Sequence, residues 1–276
     1  MTSTEQPSHP ALARALAADP QLGALRRSLE FYYGDPDRDA SMDLLYQRFV
    51  RPGELVFDIG AHVGDRVGSF RRLGARVVAL EPQPLCARAI RAIYAEDPEV
   101  TVIQAACADR PGPVRMYVNS ANPTVSTASA RFVDAADGAG GWEGQVWDGE
   151  LDVPATTLDR LVAEYGTPAF VKIDVEGYED AVLAGTTGAP PALSFEFTTI
   201  QRDTAARCLR RLAALGDYRF DVALGESQRL TFGRWVDGAE MAAHLRRLPH
   251  AANSGDVYAV LPPIPDRAGT GWAGPG

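Results

Sequence analysis

The residues best suited to chemistry cluster in a few short strings. Asp58-Ile-Gly60-Ala-His62-Val-Gly64-Asp65 follows an apolar run, Leu55 to Ile59. Gly60 lets the chain turn sharply after a strand, and Gly64 lets the backbone approach a ligand closely. Ligands of parallel sheets lie at the carboxyl ends of the strands, so this turn is a candidate nucleotide site. The glycine spacing is GxxxG, not the GxGxxG of a dinucleotide fold. Asp58 and Asp65 flank it with negative charge that repels a pyrophosphate and suits an ammonium and a sulfonium. Asp65 is also placed to cap the helix that follows. The chemistry indicated is binding of S-adenosylmethionine. Glu81 ends the next apolar run, where a carboxylate accepts two ribose hydroxyls at about 1.5–3 kcal/mol per charge-assisted bond. Asp109 follows a third run, within reach of an adenine amino group, and also suits a turn cap before Pro111-Gly112.

The densest string is Phe170-Val-Lys172-Ile-Asp174-Val-Glu176-Gly-Tyr-Glu179-Asp180. Lys172 and Asp174 are two apart and share one strand face. A charge in mid-strand needs a partner. Asp174 leaves the strand at its carboxyl edge, and Glu176 follows in the turn. Glu179 and Asp180 begin a helix, where negative charge is favourable without a further role. Glu196, in Ser194-Phe-Glu-Phe197, is an acid among apolar neighbours and should face a crevice or a buried partner. Asp174, Glu176, Glu196 and His62 are the candidate general bases for a hydroxyl acceptor. His62 has the most suitable ordinary pKa, although a loop histidine packed beside a cofactor fits equally. Asp174, Glu176 and Glu196 permit Mg²⁺ ligation but do not demand it, and no metal is expected.

The elements that hold these residues follow from periodicity. Leu55 to Ile59, Arg76 to Leu80 and Val100 to Ala106 read as buried strands, with helices to Leu73 and over Pro84 to Ala95. Strand and helix alternating at this spacing make a parallel α/β sheet. After an exposed strand at Val114 to Val118, residues 119–150 form a loop rich in small residues that carries Trp142 and Trp147. A loop of that length is unusual in a compact domain. The alternation resumes with helices at Leu158 to Tyr165, Tyr178 to Ala184 and Thr204 to Leu215, and strands at Ala169 to Ile173 and Ala192 to Phe197. Late strands are expected at Tyr218 to Val222 and Val257 to Leu261, separated by an insertion with a helix from Ala239 to Leu248. Leu12, Leu16, Leu22, Leu25 and Leu29 make an N-terminal helical segment broken at Pro20, and a short helix spans Asp43 to Val50. The expected organisation is a helical cap over 1–50, a catalytic domain over 51–264 and a disordered tail over 265–276.

Composition narrows the function classes. The chain has 276 residues, 46% hydrophobic and 23% charged, enough for a full core without staples. Its net charge of −9 gives no electrostatic footprint for nucleic acid or an anionic membrane. Lys172 is the single lysine. Cys86, Cys107 and Cys208 form no CxxC pair, so reduced, buried thiols in a cytoplasmic protein are expected. No signal peptide or membrane-spanning run is read.

Taken together, VFDIGAHVGDR, VVALEPQP, TTLDRL, FVKIDVEGYE and SFEF resemble the FkbM-type methyltransferase family, over about Leu55 to Phe197. The resemblance implies a class I, Rossmann-like methyltransferase fold, a seven-stranded, mostly parallel sheet with its last strand antiparallel. It implies S-adenosylmethionine-dependent O-methyl transfer to a natural product or sugar. It places Asp58, Gly60, His62 and Gly64 on the cofactor loop, Glu81 on the ribose, Asp109 near adenine, and Asp174 and Glu176 beside the transferred methyl. Many members have Asn where this chain has His62. The N-terminal fifty residues and the 119–150 loop match least, are the parts expected to decide the substrate, and are candidates for a lid. The expected partner is a small-molecule acceptor, with a homodimer compatible. Two other classes remain at this stage: an NAD-dependent oxidoreductase, disfavoured by the GxxxG spacing, and a non-catalytic adenosylmethionine-binding protein.

Overall fold

The computed structural model describes residues 10–263. The expected disordered tail at 265–276 lies outside the described residues. In chain order the elements are α1 (Pro10–Ala18), α2 (Arg26–Tyr33), α3 (Pro36–Tyr46), β1 (Leu55–Ile59), α4 (Asp65–Arg72), β2 (Arg76–Leu80), α5 (Pro84–Ile93), β3 (Val100–Ile103), β4 (Ala106–Cys107) and β5 (Gly112–Val118). They continue with α6 (Ala130–Ala136), β6 (Gly149–Thr156), α7 (Leu158–Tyr165), β7 (Phe170–Ile173), α8 (Glu179–Ala184), β8 (Ala192–Thr198), α9 (Arg202–Leu215), β9 (Arg219–Leu224), α10 (Gly238–Arg247) and β10 (Ser254–Val260).

Seven strands form one sheet in the order β3-β2-β1-β7-β8-β10-β9. Neighbours from β3 to β8 are parallel, and β10 runs antiparallel to both β8 and β9. The order reverses between β1 and β7, which opens a crevice at their carboxyl ends. All five residues of β1 and all four of β7 are buried, as strands covered on both faces require. One face packs Phe57, Ile59 and Phe195 against α7 to α10. The other packs Val56, Phe170 and Tyr258 against α3 and α4. Phe170 stacks on Phe49 with ring centroids 5.0 Å apart.

Several elements differ from the sequence expectation, among them α6, a helix inside the expected loop. The run Val100 to Ala106 is not one strand: β3 ends at Ile103, and β4 leaves to join β6 and β5 in a separate three-stranded sheet. β6 starts where the expected loop ends and runs through residues 151–156, where no element was expected; its polar, alternating pattern is that of a strand exposed on one side, paired with β5 from Gly112↔Ala155 to Val118↔Gly149. α3 begins at Pro36, not Asp43, because the Asp35 carboxylate caps Asp37 and Arg38 and Pro36 occupies the first turn. The N-terminal leucines do pack together: Leu12, Leu22, Leu25 and Leu29 close on Cys86, Ala89 and Ile93 of α5. Leu16 is only partly buried against them.

Candidate active site

The turn after β1 is built by the backbone of β2. Gly60 N–H and Ala61 N–H both donate to the Leu80 carbonyl at 2.9 Å. Gly60 has φ +85°, and a Cβ there would collide with the Asp174 carbonyl, so no other residue fits. Asp58 is 1% exposed, and its Oδ2 has no partner among the described residues. Burial, then Asp65, pushes its carboxyl up to about 7. Glu81, the last residue before a proline turn, is also buried. It accepts from His62 N–H and Gln83 N–H, both at 2.8 Å. Burial outweighs those bonds and pushes its carboxyl up to about 8.

A cavity of about 530 Å³ opens between these groups. Leu80, Ala105, Ala106, Cys107 and Met116 make its apolar wall, and Glu81 and Gln83 its polar end. Thr124, Ser126 and Ala128 close it from the long loop. The carboxylate expected near adenine does not line this space. Asp109 faces Arg110 at 3.5 Å with its side chain 43% exposed, in the bend where the chain leaves for the second sheet. Tyr178 lines the cavity instead, a position that periodicity did not single out.

The β7 edge carries the acids. Lys172 has no exposed surface and donates to Asp174 Oδ2 at 2.9 Å and Asp256 Oδ1 at 2.8 Å. Burial opposes its charge, but the two aspartates outweigh it and hold it protonated. Glu176 takes φ +54°, and its carbonyl accepts from Thr127 Oγ1 at 2.6 Å. Glu179 is not there merely to meet a helix dipole. Its Oε1 accepts Val175 N–H at 3.2 Å and Gly177 N–H at 3.1 Å, tying the turn together from below. Asp180 is spent on ion pairs with Arg131 and Arg207. Glu196, on β8, brings a third carboxylate to Asp174 and Glu176, with one oxygen of each within 4.8 Å of the others. Burial and mutual repulsion push the Glu176 and Glu196 carboxyls well up.

This acidic edge lines a second cavity of about 880 Å³. The two cavities share Gly60, His62, Thr124, Asp174 and Glu176. Tyr32, from the end of α2, and Trp142, from the loop, form further walls. Asp65 does not do what its position in the sequence suggests, and His62 takes the packed arrangement of the two that were open. Asp65 makes no helix cap; its Oδ2 accepts from Arg38 at 2.9 Å and Arg66 at 2.7 Å, and Glu226 joins the same guanidiniums. His62 sits with Nε2 3.2 Å from Thr124 Oγ1 and Nδ1 3.7 Å from Cys86 Sγ. Burial drives its pKa down to about 4, so the ring is neutral at pH 7 and a weak proton acceptor.

The long loop is folded over both cavities. Phe132 of α6 packs edge-on to Trp142 at 5.1 Å and Trp147 at 6.1 Å. Trp147 Nε1–H donates to the Val125 carbonyl at 2.9 Å. Thr124, Ser126, Trp142, Tyr32 and Tyr178 are among the site residues that sequence reasoning missed. The tryptophans signalled that the loop packs on something, but nothing local marked Thr124 or Ser126. Among the described residues, no helix is long and apolar enough to cross a membrane.

Comparison with known proteins places this geometry. The profile of the methyltransferase FkbM domain matches residues 58–216, more than half of the chain. No curated protein matches significantly. Among solved structures, the chain is similar to an O-methyltransferase from Bacillus cereus in complex with SAH, at 14% identity and a TM-score of 0.44, covering 94% of this chain and 93% of that one. It is similar to a TehB-like SAM-dependent methyltransferase from Corynebacterium glutamicum, at 12% identity and a TM-score of 0.42, covering 89% and 98%. It is also similar to precorrin-6y C5,15-methyltransferase from Geobacter metallireducens, at 14% identity and 0.42, covering 81% and 87%. Those likenesses are distant, and the assignment rests on the family match. The oxidoreductase and non-catalytic alternatives fall away: the chain belongs to the FkbM methyltransferase domain family, and it is an enzyme that depends on S-adenosylmethionine.

Proposed function

We propose that this protein transfers a methyl group to a hydroxyl of a small molecule, a natural product or a sugar-containing intermediate, in the cytoplasm. The observation that carries the reading is the pair of cavities meeting at Gly60, His62, Thr124, Asp174 and Glu176. One cavity is apolar with a carboxylate at its end, as an adenosine needs. The other is acidic and lined by the candidate bases, as the acceptor side needs.

When bound, S-adenosylmethionine supplies a methyl group already activated on a sulfonium. Glu81 is the acceptor for the ribose hydroxyls. The unpartnered Asp58 Oδ2 suits the ammonium of the methionine half, and the turn at Gly60 and Gly64 keeps the backbone clear of it. Asp174, Glu176 and Glu196 line the acceptor side. Glu196, with a buried Oε2 that no donor reaches, takes the acceptor's proton. His62, neutral and wedged against Thr124, is a packing residue between the two cavities. Asp109 is not assigned to adenine in this reading. Loop and α2 exclude water, and alignment supplies much of the rate.

Calorimetric titration with S-adenosylmethionine and S-adenosylhomocysteine, with Glu81→Ala as control, tests the cofactor side. Mass spectrometry of hydroxylated acceptors incubated with enzyme and cofactor tests the acceptor side. Asp174→Ala is expected to lose methyl transfer with a smaller loss of cofactor affinity. Methyl transfer to nitrogen or carbon acceptors but never to a hydroxyl would overturn the reading.

A further inference from the structure

Asp174, Glu176 and Glu196 turn one oxygen each toward a common point at the boundary of the two cavities, all within 4.8 Å of one another. Converging acids alone are common on protein surfaces. The separate observation is the state of Glu176. It is 8% exposed and lines both cavities, yet no hydrogen bond or ion pair among the described residues reaches its carboxylate. The Thr127 bond at this residue goes to its backbone carbonyl. Glu196 Oε2 is likewise buried and unpartnered. Buried polar groups are normally bonded, and an unpaired buried carboxylate beside two others is costly. The nearest cation does not answer it, because Lys172 is committed to Asp174 and Asp256. Ionised together, the three acids carry more negative charge than their protein partners balance.

We propose that Asp174, Glu176 and Glu196 hold one hard divalent cation, Mg²⁺ or Mn²⁺. An all-oxygen donor set selects that class. Metal–oxygen bonds of about 2.1 Å place octahedral neighbours about 3 Å apart and opposite ligands about 4.2 Å apart, so the trio closes with small side-chain rotations. Three protein ligands leave positions facing the acceptor cavity. A hydroxyl bound there is made more acidic by the cation. Each carboxylate gives one oxygen, so Glu196 keeps its second oxygen for the acceptor's proton. The cation site stands on the geometry alone; its part in methyl transfer rests on the function proposed above.

The test is titration of the chelator-stripped full chain with Mn²⁺, without cofactor or acceptor, following the electron paramagnetic resonance of free Mn²⁺. One ion per chain is expected, displaced by Mg²⁺ and weakened about tenfold or more in Glu176→Gln and in Glu196→Gln. Melting temperature is read on the same samples. It should rise with Mn²⁺ in the parent and little in either variant. If a glutamine variant does not fold, Glu196→Asp, which withdraws the carboxylate by one methylene, is expected to weaken Mn²⁺ while still melting cooperatively. No stoichiometric binding to the folded parent, or binding that the folded variants retain in full, overturns the site. Full methyl transfer in excess chelator overturns the cation's role. Calorimetry with S-adenosylmethionine on the stripped protein reports on the cofactor reading separately, so the two failures are distinguishable.

Discussion

Lys172 has no exposed surface and is shared between two aspartates from different strands. Removing it leaves Asp256 buried and Asp174 half-buried without their cation. Lys172→Met is therefore expected to destabilise the fold by about 3–5 kcal/mol, measured by denaturant unfolding. Glu81 gives a pH-dependent prediction. Its carboxyl stands at about 8 when no ligand is bound, and ribose hydroxyls favour the ionised form. Below that pH, binding must expel a proton, so cofactor affinity should rise with pH and level off above about 8. Calorimetry in buffers of different ionisation enthalpy should show proton release that Glu81→Gln abolishes. Strand-end residues such as Asp58 and Glu81 were legible because an apolar run of five residues fixes where the strand stops. Asp256 was not legible as the partner of Lys172, because 84 residues and an antiparallel pairing separate them. Asp109 misled for a related reason: it follows an apolar run, but the run divides between two sheets.

At the scale of elements, the covering loop rests on α6 and its aromatic contacts. Phe132 is fully buried between two tryptophans, in a cluster separate from those of the main sheet, and lies against Gly177 of the turn after β7. Phe132→Ala should cost about 3–5 kcal/mol locally. The expected outcome is faster proteolysis within residues 119–150 and a raised KM for the acceptor, with the global melting temperature changed less. Equal proteolysis rates would count against the loop as a cover. The loop was recognisable by length and composition, but β6, which follows it, was not. Its alternating Glu150, Asp152 and Pro154 face solvent and mask the buried Val153. α3 was expected only from Asp43, because its first turn carries no apolar residue; the Asp35 cap and Pro36 open the helix earlier.

At the scale of the whole molecule, Arg38 of the N-terminal helices, Asp65 and Arg66 of α4 and Glu226 after β9 meet beside the acceptor cavity. Burial pushes the Glu226 carboxyl up, but Arg66 and Arg38 outweigh it and bring it down to about 2. A depressed carboxylate adds stability above its ordinary pKa and loses it as pH falls toward the folded value. The parent should therefore lose its advantage over Glu226→Gln between about pH 4.5 and pH 2. With the side chain 44% exposed, that advantage is at most about 1 kcal/mol.

Val118 and Gly149 are cross-strand neighbours, so the chain leaves the small sheet and re-enters it at almost one point. Ends held that close make the intervening segment a cassette. Loop-closure entropy changes by only about 0.6 kcal/mol for each doubling of length. Transplanting the corresponding segment of another family member between these two residues, with Thr124, Ser126 and Ala128 of the cofactor cavity kept, should preserve cofactor affinity while exchanging acceptor preference. A lineage could change its chemistry's target by recombination at that hem, leaving the seven-stranded sheet untouched.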